Sequence, residues 1–366
     1  MRILQVAPYS PPVRGGIETY VLELSRYLSR RHDVTVFSCG KGETVIGRIR
    51  FRRFLALEVN QLPLPFKKHY PIPIRMFFSL LTHNYDVAIV HGYIFITSFL
   101  AILACKIRKK PSILKIGTTI ADRSTIFKPS KFICLMRAIL ENTLFRFIIK
   151  NATVVVATIR RTQEYISKGY NVKVLRVGHG VDKRRFKPCP LGENLMYIGR
   201  LMKIKRVDLL IRAMPIILRN EKIKLMIVGD GPRLSYLKRL AEELGVSDYI
   251  EFCGAVPHRD VPKMLRKARI VVVPFHGEIN LIEAAMMARP IVTVPLRINR
   301  EILEDGALYA SLGDVRSLAD KIIFLLKNPK RAEELGKKAY KIVAQKYDWE
   351  IVCKRFERII SSLCKT

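Results

Sequence analysis

Along the first half of the chain, short apolar runs alternate with longer stretches whose apolar residues recur every three or four positions. Residues 3–7, 34–38, 87–91, 112–116 and 153–157 are short, mostly apolar runs of strand length. Between them, residues 18–29 place Tyr20, Val21, Leu24 and Leu28 on one helical face, and residues 94–107 and 132–149 read as further helices. The second half repeats the pattern. Its strands are 195–198, 224–228, 250–253, 270–273 and 291–294, and its helices are 207–219, 233–244, 261–267 and 282–289. Short, mostly apolar strand runs alternating with helices in this way predict a parallel, doubly wound sheet. Two such series predict an α/β protein of two Rossmann-like doubly wound domains. Pro188, Pro190 and Gly192 punctuate the chain between them, so the domains are expected at 1–188 and 189–349. An amphipathic helix, 348–362, closes the chain. Sheets of this kind take ligands at the carboxyl ends of their strands, and two of them facing across a cleft suit a large two-part substrate.

Composition narrows the class. A chain of 366 residues that is 49% hydrophobic has enough apolar surface for two cores and does not read as disordered. Seven cysteines stand apart with no C-x-x-C pair, which excludes a zinc ribbon or a disulfide scaffold and suits a reducing, cytoplasmic setting. Residues 1–8 do not read as a leader, and no uninterrupted apolar run reaches spanning length. The charge changes the picture more. The formal net charge is +34, and Lys and Arg outnumber Asp and Glu by 33 to 10 in residues 1–190 but by only 32 to 21 in the remainder. An anionic substrate, an anionic membrane surface and nucleic acid all fit such an excess. No nucleic-acid-binding motif accompanies it, so nucleic acid is not expected.

Two segments carry candidate chemistry. Gly199 and Arg200 follow the strand 195–198, and Lys205 lies at the end of the same turn. Backbone N–H groups and fixed cations after a strand can hold phosphate, and a solvated basic turn has the same composition. Further on, Glu278 and Glu283 flank a helix start, where an acid either accepts sugar hydroxyls or simply offsets the helix dipole. Gly15 and Gly16 after the first strand permit close backbone approach, as does any tight turn. His91 ends a strand, and no clustered acids or histidines suggest a metal.

These residues fall into an ordered set of motifs. In chain order they are Gly15-Gly16-Ile17-Glu18, Asp86-Val87-Ala88-Ile89-Val90-His91, His179-Gly180-Val181-Asp182 with Phe186 and Pro188, and Gly199-Arg200-Leu201 with Lys205. Val228-Gly229-Asp230-Gly231-Pro232, Phe252-Cys253-Gly254-Ala255-Val256-Pro257, Glu283-Ala284-Ala285-Met286-Met287-Ala288-Arg289-Pro290 and Tyr347-Asp348-Trp349 follow. The set resembles, nearly end to end, the retaining glycosyltransferases of the GT-B fold, family four. The resemblance implies a UDP- or GDP-linked sugar as donor substrate, no other cofactor and no metal, and a lipid-linked, glycan or small-alcohol acceptor. It implies that Arg200 and Lys205 hold the diphosphate and that Glu283 binds the ribose hydroxyls. Gly15 and Gly16 would lie against the donor phosphate or acceptor, Val256 under the base, and His91 near the reacting centre. It also implies that a C-terminal helix near 350–366 packs back on the first domain.

The chain departs from the family at one loop. The family's first acid would fall at Phe275, and the nearest acid upstream of Glu283 is Glu278, so the loop is three residues short. Backbone N–H groups at the helix start, beside Leu281 and Ile282, remain able to meet a phosphate. Asp122 and Arg123, after the strand 112–116, are placed to touch the acceptor, and the His that the family often has near Gly117 is missing. Residues 48–54, 66–70 and 127–150 mix Lys and Arg with large apolar residues and read either as helices lying in an anionic interface, giving a peripheral protein at the inner membrane face, or as core helices with a solvated basic face. Two other readings stay open beside the hexosyltransferase: a donor-binding partner subunit without catalysis, and a different GT-B enzyme such as a sugar-nucleotide epimerase or glycogen-type synthase.

Overall fold

The computed structural model describes residues 1–11, 16–58, 71–117, 135 and 138–364. The chain divides into two compact units, Met1–Gly180 with Trp349–Thr366, and Val181–Asp348. The first unit contains β1 (Arg2–Val6), β2 (Asp33–Cys39), β3 (Glu43–Ile46), β4 (Ile49–Phe54), β5 (Leu57–Glu58), β6 (Pro71–Ile72), β7 (Val87–His91), β8 (Ser112–Ile116), β9 (Val154–Ala157) and β10 (Val174–Arg176). Eight of these form one sheet in the order β10-β9-β8-β7-β1-β2-β4-β3. Its pairings are parallel except for the edge hairpin of β3 with β4. From β1 the chain steps to one side, to β2, and returns to the other side of β1 at β7. The strand order therefore reverses between β1 and β7, the place where sheets of this class bind ligands.

The strand β4 corrects one expectation. Residues 49–54 form a strand where a helix was expected. Ile49, Phe51 and Phe54 are buried in the sheet while Arg50 and Arg52 point outward, so the basic-aromatic mixture is the alternation of a half-buried strand. In the stretch 127–150, the described residues form a π-helical turn, Glu141–Phe145, and a short helix, Arg146–Asn151. Phe145, Ile148 and Ile149 are core residues, and Leu135 and Ile139 are exposed. Segment 66–70 and most of 127–137 lie outside the described residues, as do Gly15, Asp122 and Arg123. Among the described residues no helix is long and apolar enough to cross a membrane.

The C-terminal helix, Trp349–Leu363, joins the first unit's core: Trp349, Val352, Cys353, Phe356 and Ile360 pack with Tyr20, Leu24, Tyr27 and Leu28 of the helix Gly16–Leu28. The close fit requires a glycine at position 180, where an added Cβ would come within 2.3 Å of the Trp349 indole.

The second unit is a six-stranded parallel sheet built from β11 (Asn194–Ile198), β12 (Leu225–Val228), β13 (Ile250–Gly254), β14 (Ala268–Val273), β15 (Ile291–Thr293) and β16 (Leu308–Tyr309), in the order β13-β12-β11-β14-β15-β16. Helices Val207–Leu218, Leu234–Glu243 and Val315–Lys327 cover one face and Val261–Arg266 and Ile279–Met286 the other, while Pro329–Ala344 contributes to both cores. Order reverses here between β11 and β14. The unit starts at Val181, ahead of the proline-punctuated segment, because Val181 pairs in parallel with Asp348 and donates its N–H to the Tyr347 carbonyl at 2.7 Å, and Phe186 packs in this unit's core. Arg289, wholly buried, then holds the segment by donating to the Cys189, Pro190 and Ala268 carbonyls.

Candidate functional site

In the second unit the turns after β11, β12 and β13 are stacked on one another through glycine. Gly199, Gly229 and Gly231 have φ of +147°, +143° and +159°. A Cβ on Gly229 would lie 1.9 Å from the Gly199 carbonyl oxygen, and one on Gly231 would lie 2.5 Å from that of Leu201. Only glycine lets the two chains touch at this distance. Backbone bonds complete the stack: Gly199 donates to Val228, Leu201 to Asp230, and Gly229 to Gly254. The turn that carries Arg200 and Lys205 is thus fixed from behind by the neighbouring strand ends.

The turn is also fixed across the reversal point. Residues 203–205 form a single 3₁₀ turn, and Lys205 Nζ donates to the His276 carbonyl at 2.8 Å, in the loop after β14. Asn280 Nδ2 donates to the Ile198 carbonyl at 2.9 Å, from the start of the helix Ile279–Met286 back to the end of β11. Asn299 supports the same loop from behind, donating to Phe275 and accepting from Gly277 N–H. Arg200 is exposed and Lys205 half-buried. Burial pulls the Lys205 amine below the usual lysine range; Glu278 opposes that shift and Arg200 adds to it. The two cations and Glu278 therefore share one electrostatic environment.

The helix after this loop starts at Ile279, three residues earlier than the periodicity predicts. Its first N–H groups have no partner within the helix, whereas Ile282 N–H already bonds the Glu278 carbonyl. Leu281 and Ile282 turn their side chains into the core, leaving only backbone for any ligand. Glu283 is 5% exposed, and its Oε1 meets His258 Nε2 at 2.5 Å. Val256 is half-buried, two residues before His258.

The first unit builds its reversal point differently. His91, at the end of β7, is 1% exposed, and its Nε2 lies 2.8 Å from Gln5 Oε1 on β1. Gln5 spends its amide N–H on Ser25 Oγ at 2.6 Å. Its oxygen therefore faces the imidazole, so Nε2 carries the proton and Nδ1 is the bare nitrogen. Nδ1 is buried with no partner among the described residues. Burial, and next the nearby Lys115 charge, hold His91 well below the usual histidine range, so the ring is neutral. Lys115 itself is buried, its amine 3.7 Å from the Tyr20 ring centroid. Gly16 opens the helix Gly16–Leu28, with no described atom within 4 Å of the position of an added Cβ.

Geometry thus gathers Arg200, Lys205, Glu278, the start of the helix Ile279–Met286, and Glu283 around one reversal point, with Val256 on the adjoining segment. His91 and Gly16 belong to the other unit. Gln5, Lys115, His258 and Asn299 were not signalled by sequence, and Asn280 stood inside the Glu278–Glu283 segment without its side-chain role; His258, directly after Val256 and Pro257, also stood beside a motif that could have drawn attention.

Two doubly wound sheets in one chain, the second with cations, carboxylates and a helix start at its reversal point, define the architecture of a GT-B transferase. Residues 14–185 match the family model Glycosyltransferase Family 4, and residues 183–342 match Glycosyl transferases group 1. The chain belongs to this glycosyltransferase family. It is 23% identical over 385 residues to phosphatidyl-myo-inositol mannosyltransferase of Mycobacterium leprae, covering 99% of this chain and 97% of the relative. Among solved structures, sucrose-phosphate synthase from Thermosynechococcus elongatus aligns with a TM-score of 0.75 at 19% identity, covering 99% of this chain and 98% of the other. Anabaena HepE in complex with UDP and glucose aligns with a TM-score of 0.75 at 17% identity, covering 99% and 100%.

Proposed function

We propose that this protein is a retaining hexosyltransferase, moving a hexose from a UDP- or GDP-linked donor to a lipid-linked, glycan or small-alcohol acceptor. One observation carries the reading: the Lys205–His276 bond spans the β11/β14 reversal and brings both cations beside Glu278 and a helix start. As the bond from sugar to phosphate breaks, negative charge grows on the departing diphosphate; Arg200 and Lys205 meet it without a metal ion. The helix start before Leu281 and Ile282 adds backbone N–H groups for phosphate, Glu278 faces the sugar, and Glu283 accepts the ribose hydroxyls. Val256 lies under the base, Gly15 and Gly16 approach the phosphate or acceptor, and His91, neutral with a bare Nδ1, serves the reacting centre. The mannosyltransferase relative supports a hexose and a lipid acceptor, and the UDP and glucose bound in HepE support a nucleotide donor. An anionic membrane face is supported by the basic first half and by Ile74 and Phe78, exposed on adjacent turns of the helix Ile74–Thr82.

Transfer from a panel of UDP- and GDP-hexoses tests this, with the product anomer read by NMR. Turnover is expected to persist in EDTA, and inversion at the anomeric carbon would overturn retention. Phe275 in place of the family's first acid favours a second reading, a donor-binding subunit without catalysis; nucleotide binding with no turnover on any donor would select it. Salt-sensitive flotation with anionic vesicles tests the membrane face.

A further inference from the structure

Glu283 does not stand alone. His258 Nε2 lies 2.5 Å from its Oε1, and on the far side of the same ring Arg185 Nη2 lies 3.4 Å from Nδ1 and donates to the His258 carbonyl at 3.1 Å. A guanidinium only donates, so Nδ1 accepts and Nε2 holds the ring proton. The imidazole is therefore oriented as a neutral donor toward the carboxylate. Each member of the row is fixed by the fold. Arg185 and Phe186 sit on a turn whose N–H groups both bond the Asp182 carbonyl, at 3.0 and 2.9 Å, and Phe186 is buried with its ring 5.9 Å from that of His258. Glu283 is held in a core helix. Its second oxygen, Oε2, accepts nothing from the described residues.

We propose that Arg185 and His258 act as positioning residues for Glu283, fixing Oε1 so that the carboxylate is turned toward the vicinal hydroxyls of a nucleoside ribose. The proposal rests on the reading of Glu283 as the ribose acid. It explains why a histidine follows Pro257, and it gives Arg185, one residue before the Phe186 of the hinge motif, a part in donor recognition. His258 supplies through Nε2 what a second-row donor supplies in other sites: one fixed hydrogen bond that removes the rotational freedom of a carboxylate.

Calorimetric titration with nucleoside diphosphate and with its 2′,3′-dideoxy counterpart tests it, using UDP and GDP as probes. The wild type is expected to favour the ribo form by about tenfold or more, the scale of charge-assisted hydrogen bonds. His258→Ala should lose most of that preference by weakening the ribo form alone. The unchanged dideoxy affinity shows that the variant is folded and the diphosphate site intact. His258→Gln, whose Nε2 can reach the same carboxylate oxygen, should restore the preference, and His258→Asn, one bond shorter, should not. Arg185→Ala should lose about threefold, since it acts one bond further away. Equal weakening of both nucleotides in His258→Ala, or full retention of the preference, overturns the positioning role. A wild type that binds ribo and dideoxy forms alike overturns the ribose reading itself, which distinguishes the two failures.

Discussion

The two sheets reverse their strand order in the same way yet hold the reversal point by opposite means. At β11 and β14 the contacts run through backbone: glycines with positive φ, carbonyls gripped by Lys205 and Asn280, and Arg200 exposed beside them. At β1 and β7 they are side chains, with Gln5, Ser25 and His91 joined in a buried neutral chain and Lys115 lying over Tyr20. The first arrangement suits an anionic ligand that must be met by N–H groups and cations. The second keeps a titratable group neutral and fixed. Substitutions that disturb backbone should therefore act on the second unit, and those that disturb polarity on the first.

The largest effect expected is that of Gly229→Ala. Its Cβ would overlap the Gly199 carbonyl oxygen, and φ of +143° is itself strained for alanine. Clash and strain together should cost on the order of 4 kcal/mol, read as a lower urea midpoint. Gly42→Ala, at φ +79° with nothing within 4 Å, carries the strain of a positive φ without a clash and should cost about 1 kcal/mol. Equal losses at the two positions would break the claim that close backbone contact builds this site.

How much of this was open to sequence reasoning follows the same division. Most strands were legible because each is a short, mostly apolar run between helical stretches, and the turn 199–205 was legible because glycine and cations are local signals. The stacking that requires Gly229 is a contact between residues thirty positions apart, and no local pattern encodes it. β4 was misread for a physical reason: alternating Arg and Phe is the composition of an interfacial helix and of a half-buried strand alike, and only its pairing with β2 decides between them. His258, Asn280 and Asn299 are single polar residues whose partners come from other elements, so their roles appear only when the chain is folded.

Next in size is Lys205→Met. The thioether keeps the apolar stem but removes the donor to His276 and one charge facing a diphosphate. Loss of a charge-assisted bond should weaken UDP or GDP binding by about 2 kcal/mol, close to thirtyfold, in a calorimetric titration. Nucleotide affinity that is unaltered would remove the second unit's claim to the diphosphate. Gln5→Leu probes the first unit in turn. It leaves His91 Nε2 and Ser25 without their partner in a buried site, which should cost about 1–2 kcal/mol of stability while the second unit's nucleotide affinity stays as it was.

The smallest effect is the pH dependence contributed by His91. Burial first, and the Lys115 charge second, place its folded pKa well below the unfolded value of 6.5. In the window between those values the unfolded chain holds more protons than the folded one, so stability rises with pH there. The contribution is fully present above pH 6.5 and is lost as pH falls through the folded value. His91→Gln has no proton to gain and should flatten this limb of the stability curve, measured as urea midpoints from neutral to mildly acid pH. A variant curve parallel to the wild type would mean that other groups set the acid limb. A flattened one would show that the first unit's reversal point is held neutral by burial, while the second unit keeps its charges at hand.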